Sequence, residues 1–348
     1  MKALFLTGKC QVEYKEIPKP QCPEDGMLVK IDSVGLCGSD VRTYTVGHAK
    51  ITYPVILGHE NAGIIEEVGP KVRGDWKVGD HVVANPAIPC GKCYYCVNKM
   101  PGLCDHLEVA GTSFSGGFAQ YMAFPGSMVE RGQIIKIPND VDLEPMILVE
   151  LLASVIKAQD CLKVGMGESV VIVGSGPIGC LHAQIAKLHG ATKIIMADLN
   201  KERLEKCYGF GGTHFIVSSE ENIVERVMEI TEGRGADVVI VACPATEPHQ
   251  QGLQMLRKEG RLSIFGGLNK DNPWSNMDAN LIHYKSLTVQ GAYSYSAAEF
   301  AKGYELIKAG KIDTNIITHK LPLSKMEDGV KAIRSGEAIK VVLKPWAE

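Results

Sequence analysis

The chain has 348 residues, of which 45% are hydrophobic, 22% charged and 6% aromatic. At roughly 100–200 residues per domain, that length predicts two domains, each able to bury its own core. Lys plus Arg (37) and Asp plus Glu (40) nearly cancel to −3, which excludes a polyanion-binding surface as the main function.

No apolar run approaches the ~18–20 residues that span a bilayer. The N-terminus, MKALFLTGKC, holds a short apolar stretch broken by Gly8 and Lys9. It lacks the length of a secretory core, so a cytoplasmic protein is expected. From residue 1 to about 150 the chain is rich in Gly and Pro, with β-type runs at 27–34, 63–68 and 80–84. Short strands separated by turn signals predict an irregular, barrel-like β domain. From about 151 to 290 the texture changes. Apolar strands at 169–173, 193–197, 237–242 and 261–265 alternate with helical spacing such as 177–189, the pattern of a parallel sheet with crossovers. Helices at 297–309 and 324–335 and a strand at 338–344 complete an α/β chain, and Lys344 in that strand is expected to contact turns of the first domain.

Eleven cysteines in a long chain without an export signal point to metal ligands or buried thiols rather than disulfides. Cys90, Cys93, Cys96 and Cys104 fall in the run CGKCYYCVNKMPGLC. Two-residue gaps let tight turns aim successive sulfurs at one centre, and four thiolates close the shell of a tetrahedral ion. An iron–sulfur cluster is the rival, but the seven-residue last gap differs from the usual cluster run. A structural zinc site is predicted.

A second group is dispersed. Cys37 lies between Gly35 and Gly38 in GLCGSD, and His59 and Glu60 follow Gly58 in LGHE. Cysteine, histidine and a carboxylate are zinc ligands, and three of them with an open position would make a catalytic site. Further on, Gly174, Gly176 and Gly179 form G-x-G-x-x-G directly after a strand, with Pro177 and Ile178 opening the following helix. The glycines permit a tight turn and close approach of a pyrophosphate to the helix N-terminus. Asp198 ends the next strand, placed to accept from a ribose 2′-hydroxyl and to repel a 2′-phosphate, so NAD is expected. Arg203, one turn later, is expected near the adenine and leaves some NADP use open.

Taken in order, GLCGSD, LGHENAGIIEEVG, VGDHVV, the CGKCYYC run, GGFAQY and VIVGSGPIG cover essentially the whole chain. Together they resemble the zinc-dependent medium-chain alcohol dehydrogenase family, and especially its polyol (sorbitol-like) dehydrogenase branch. The resemblance implies a GroES-like β-rich catalytic domain over 1–150 and 291–348, and a Rossmann, doubly wound NAD-binding domain over 151–290. It implies an active site where the two meet, and a homodimer or homotetramer. It implies two zinc ions per chain, one structural and one catalytic. Cys37 and His59 would hold the catalytic zinc, Glu60 would ligate it or exchange with substrate or water, and Glu150 in LVELLAS would be the acidic ligand. That branch usually has proline after this glutamate, where this chain has Leu151.

The implied reaction moves a hydride between NAD and a secondary alcohol of a polyol, yielding a ketose. Ser39 would pass the proton to the cofactor ribose. The family's next relay histidine is replaced by Arg42, whose guanidinium stays protonated. The relay therefore ends in water or in His48, or Arg42 binds a phosphate. A polyol phosphate, a cyclitol or an amino alcohol such as threonine is the alternative substrate. A nucleic-acid or protein-binding module built on the four-cysteine ribbon is disfavoured by the −3 charge and 6% aromatic content. The partner expected is thus a small alcohol, with no nucleic acid and no membrane.

Overall fold

The run MLVKIDSVGL is largely apolar, and all but Lys30 and Asp32 of its ten residues are buried. In the computed structural model, which describes residues 1–348, Met27–Leu36 is a central strand of a seven-stranded sheet. Glu60–Val68, Tyr121–Phe124 and Lys340–Lys344 each pair with it antiparallel. His81–Ala84 and Ile134–Ile137 extend the sheet on one side, and Ile317–Pro322 extends it on the other. A strand near the C-terminus is therefore hydrogen-bonded to one that starts at residue 27. Met27, Ile31, Ile65, Phe118, Phe124 and Val341 share one core. Full burial of each such side chain stabilises the fold by ~1.5–3 kcal/mol. This unit comprises Met1–Ala153 and Tyr295–Glu348.

The cysteine-rich segment stands apart from that core. Its only regular pieces are the short helix Tyr94–Val97 and a 3-10 turn at Pro101–Leu103, and neither buries a residue.

The other unit is Ser154–Ser294. Its six strands are all parallel, in the order His214–Val217, Lys193–Asp198, Ser169–Val173, Ala236–Val241, Leu256–Ile264, Thr288–Gly291. Numbered along the chain that is 3-2-1-4-5-6, the doubly wound arrangement. The two central strands are buried at every position, as helices on both faces require. The edge strands His214–Val217 and Thr288–Gly291 lie outside the strand series expected from the sequence. Each pairs on one side only and is partly exposed, so neither needs a continuous apolar run. Leu256–Ile264 starts five residues before the expected 261, through exposed Lys258 and Glu259 that carry no apolar signal. No helix in the chain is long and apolar enough to cross a membrane.

Candidate active site

The four sulfurs of Cys90, Cys93, Cys96 and Cys104 lie within 4.8 Å of one another. The Cys93–Cys96, Cys93–Cys104 and Cys90–Cys96 separations are 3.5, 3.8 and 4.0 Å. Sulfurs at ~2.3 Å from a tetrahedral centre stand about 3.8 Å apart, so the cluster fits zinc without rearrangement. Backbone N–H groups of Cys90 and His106 donate to the Cys104 sulfur at 3.2 and 3.3 Å. The backbone N–H of Cys96 holds the Cys93 thiol down to about 6, whereas burial pushes Cys96 up to about 12. Four thiols this close ionise together only around a cation.

The dispersed group is assembled by strand register. Gly35 opposes Glu60 and Val34 opposes Asn61, so Cys37 and His59, just beyond that ladder, meet at the strand ends. One donor atom from each of Cys37, His59 and Glu60 lies within 4.8 Å of the others. Two glycines make room. A Cβ at Gly35 would sit 1.6 Å from Glu60 Oε2, and Gly58 turns with φ +94° against the Phe118 ring. Cys37 caps the helix Gly38–Val46, and its N–H donates to Asp40 Oδ2 at 3.0 Å. Asp40 Oδ1 lies 3.4 Å from His59 Nδ1, and Ser39 Oγ lies 3.4 Å from His59 Nε2. With Nδ1–H directed at the carboxylate, Nε2 is the ring nitrogen left to lose its proton to a metal. Burial pushes the His59 imidazole down, but Asp40 and Cys37 outweigh it and hold it well above the usual histidine range.

Glu60 is 0% exposed, and its Oε2 is ion-paired with the ammonium of Lys340, itself 1% exposed. Its Oε1 has no hydrogen-bond partner. Burial pushes the Glu60 carboxyl up, with Lys340 and His59 pulling it back. Glu150 stands outside the converging trio: Tyr295 donates its hydroxyl to Glu150 Oε1 at 2.7 Å. Burial, with Glu150 beside it, raises Tyr295 well above the usual phenol range, so it remains a donor. Glu60, Cys37 and Asp40 therefore act on one buried lysine, with Glu150 beside Glu60, and this excess of acidic groups matches a divalent cation.

Three of these residues escaped the sequence reading. Asp40 carries only the signal of an acidic residue in the first turn of a helix. Lys340 was passed over for Lys344, which in fact bonds Asp32 and Ser33. Its one signal is a lysine inside a strand otherwise apolar, AIKVVL. Tyr295, lying 145 residues from Glu150, had none. Ser39 and Arg42 are exposed on the Gly38–Val46 helix, and His48 Nδ1 accepts from the N–H of Lys50 at 3.3 Å.

In the second unit, Gly174 has φ +111°, and Gly176 is the N-cap of Pro177–Leu188, the helix that Pro177 and Ile178 open. A Cβ on Gly179 would fall 2.0 Å from the Gly174 carbonyl, whereas one on Gly176 would meet nothing within 4 Å. The first closeness demands glycine, and the second leaves open space over the helix N-terminus, as a pyrophosphate requires. Asp198 Oδ2 accepts from Ser175 N–H and Oγ at 2.8 and 2.7 Å, tying the turn to the neighbouring strand. Asn200 caps the next helix, accepting from Arg203 N–H at 2.9 Å. The side chain of Arg203 is half-buried.

Residues 23–139 match the alcohol dehydrogenase GroES-like domain, and residues 177–309 match the zinc-binding dehydrogenase domain. The chain belongs to the zinc-type medium-chain alcohol dehydrogenases. It is a zinc-dependent alcohol dehydrogenase with a GroES-like domain and a Rossmann-like domain. Among relatives of this family, a sorbitol dehydrogenase of Halalkalibacterium halodurans is 35% identical over 350 residues, covering 99% of both chains. A D-xylulose reductase A of Aspergillus oryzae is 30% identical, covering 98% of this chain and 96% of its own. A zinc-binding dehydrogenase of Sinorhizobium meliloti bound to NADP superposes with a TM-score of 0.91 at 28% identity, covering 99% of each chain.

Proposed function

We propose that this dehydrogenase oxidises a secondary alcohol of a polyol to a ketose, reversibly, with NAD as hydride acceptor. The carrying observation is the convergence of Cys37, His59 and Glu60 beside Ser39. The sorbitol and xylulose relatives support the polyol class. Zinc held by Cys37, His59 and an acidic oxygen from Glu60 or Glu150 would supply the Lewis acidity that lowers the pKa of a substrate hydroxyl. Around it the chain's own groups have separate tasks. Asp40 fixes the His59 ring, and Lys340 fixes Glu60. Ser39 Oγ relays the substrate proton, accepting it as its own hydroxyl proton leaves, and its exposure lets that proton reach water without Arg42.

In this reading Met1–Ala153 with Tyr295–Glu348 is the catalytic unit and Ser154–Ser294 binds the nucleotide. The N-terminus of Pro177–Leu188 takes the pyrophosphate, and the Asp198 carboxylate disfavours a 2′-phosphate. Arg203, one turn into the helix after Asp198, would lie near the adenine. Cys90, Cys93, Cys96 and Cys104 hold the structural zinc, a closed set with no position left for substrate. The protein is taken to act as a homodimer or homotetramer.

The test is chelator-sensitive reduction of NAD and NADP across sorbitol, xylitol, polyol phosphates and threonine. Free polyols with NAD are expected to give the highest kcat/KM. Faster turnover of threonine or a polyol phosphate overturns the substrate assignment, and a preference for NADP overturns the role given to Asp198.

A further inference from the structure

Two carboxylates, the buried Glu60 and the half-buried Glu150 close enough to act on its charge, stand by the Cys37–His59 pair, and they are held by chemically different groups. Glu60 Oε2 faces a buried ammonium, Lys340. Glu150 Oε1 instead accepts from a neutral phenol, Tyr295, at 2.7 Å. An ammonium withdraws far more of a carboxylate's charge than a hydroxyl does. Glu150 therefore keeps more donor strength, with one oxygen occupied and the other unclaimed by Tyr295.

The phenol is held rigidly. Tyr295 is 8% exposed, and its ring stacks on Phe300 with centroids 6.3 Å apart and planes 18° from parallel. It immediately precedes Ser296, the N-cap of helix Ala297–Lys308, where Ser296 N–H donates to Glu299 at 2.8 Å in a capping box. That helix approaches the Glu150 helix, Leu148–Leu162, through Gly303. A Cβ there would lie 3.3 Å from the Val149 carbonyl and 3.6 Å from Leu152. The donor thus sits just before the start of one helix and the acceptor on the helix packed close against it, and the hydroxyl is the only polar atom on the Tyr295 side chain.

We propose that Tyr295 is a positioning residue of the catalytic zinc centre: by holding Glu150 Oε1 it presents Oε2 to the metal and sets the affinity of that site. The inference rests on the dehydrogenase reading but is tested by metal binding, independently of turnover. Outer partners of metal ligands typically change affinity by about 10–100-fold when removed.

The experiment is competitive chelation of the two zinc ions from the full-length protein, wild type and Tyr295→Phe, with Co(II) spectra of the catalytic site. Phe keeps the ring and its stacking, and the four-cysteine zinc is the internal control. Tyr295→Phe is expected to weaken one zinc by about 10–100-fold, leave the other unchanged and shift the Co(II) bands. Glu150→Ala is expected to weaken the same zinc, and Tyr295→Phe added to it to do no further harm. Unchanged affinity and spectrum in Tyr295→Phe would overturn the proposal. So would additive losses in the double variant, since Tyr295 would then act by another route. A protein that follows the expected metal pattern yet oxidises no polyol leaves the proposal standing and sinks the functional reading instead.

Discussion

The two metal sites are built on opposite plans. Cys90, Cys93, Cys96 and Cys104 come from one short stretch of chain that buries almost nothing, and their sulfurs already stand at tetrahedral spacing. Cys37, His59 and Glu60 come from the ends of paired strands, with Lys340 and Tyr295 delivered by the last part of the chain. The first site needs only local turns and its ion. The second needs a finished sheet. A closed set of thiolates suits a site that substitutes for a core, while a mixed set with buried counter-charges suits one that must admit substrate.

The sharpest way to break that contrast is to remove one sulfur from each site. Cys37→Ser is expected to lower kcat/KM by about a thousandfold or more through lost Lewis acidity, with the thermal unfolding temperature nearly unchanged. Cys93→Ser should instead lower the unfolding temperature sharply, because structural zinc contributes folding free energy. The opposite pattern would exchange the two assignments.

Lys340→Met probes the buried counter-charge. Leaving Glu60 ionised and unpaired at 0% exposure should destabilise the protein by about 3–5 kcal/mol in urea unfolding. Adding Glu60→Gln should recover most of that. A loss below about 1 kcal/mol would mean that the pair has little structural weight.

The smallest effect lies outside both sites and serves as a control that zinc should not touch. Asp237 accepts from Ser169 N–H at 2.8 Å and from Arg257 Nε at 2.5 Å. Burial alone would raise its carboxyl, but Ser169 and Arg257 pull it from 3.8 to about 2. The folded value lies below the unfolded one, so the stabilisation is present above about pH 4 and lost as pH falls toward 2. Asp237→Asn should therefore remove about 2 kcal/mol at neutral pH and flatten the acid limb of the stability curve. An acid limb that shifts with chelator would tie Asp237 to the metal sites and weaken the contrast.

The residues legible beforehand were those whose chemistry is written in adjacent positions. The four cysteines, the Gly174–Gly179 turn and the apolar strands Ser169–Val173 and Ala236–Val241 needed no distant partner to be recognised. His59 and Glu60 were visible because Gly58 marks a turn before a strand. The hidden ones were hidden for a physical reason. Asp40 looks like an ordinary cap until the Met27–Leu36 and Glu60–Val68 ladder brings His59 to it. Lys340 and Tyr295 acquire meaning only when the chain returns from Ser294 and docks its last strand on Met27–Leu36.

By itself, then, the sequence determined a four-thiolate chelate, a dinucleotide turn and a series of buried parallel strands, since each depends on neighbours within a few residues. Only the tertiary structure decided which carboxylate is neutralised by an ammonium and which is held by a phenol. That choice depends on strand register and on helix packing between residues more than a hundred positions apart, and no local pattern encodes it.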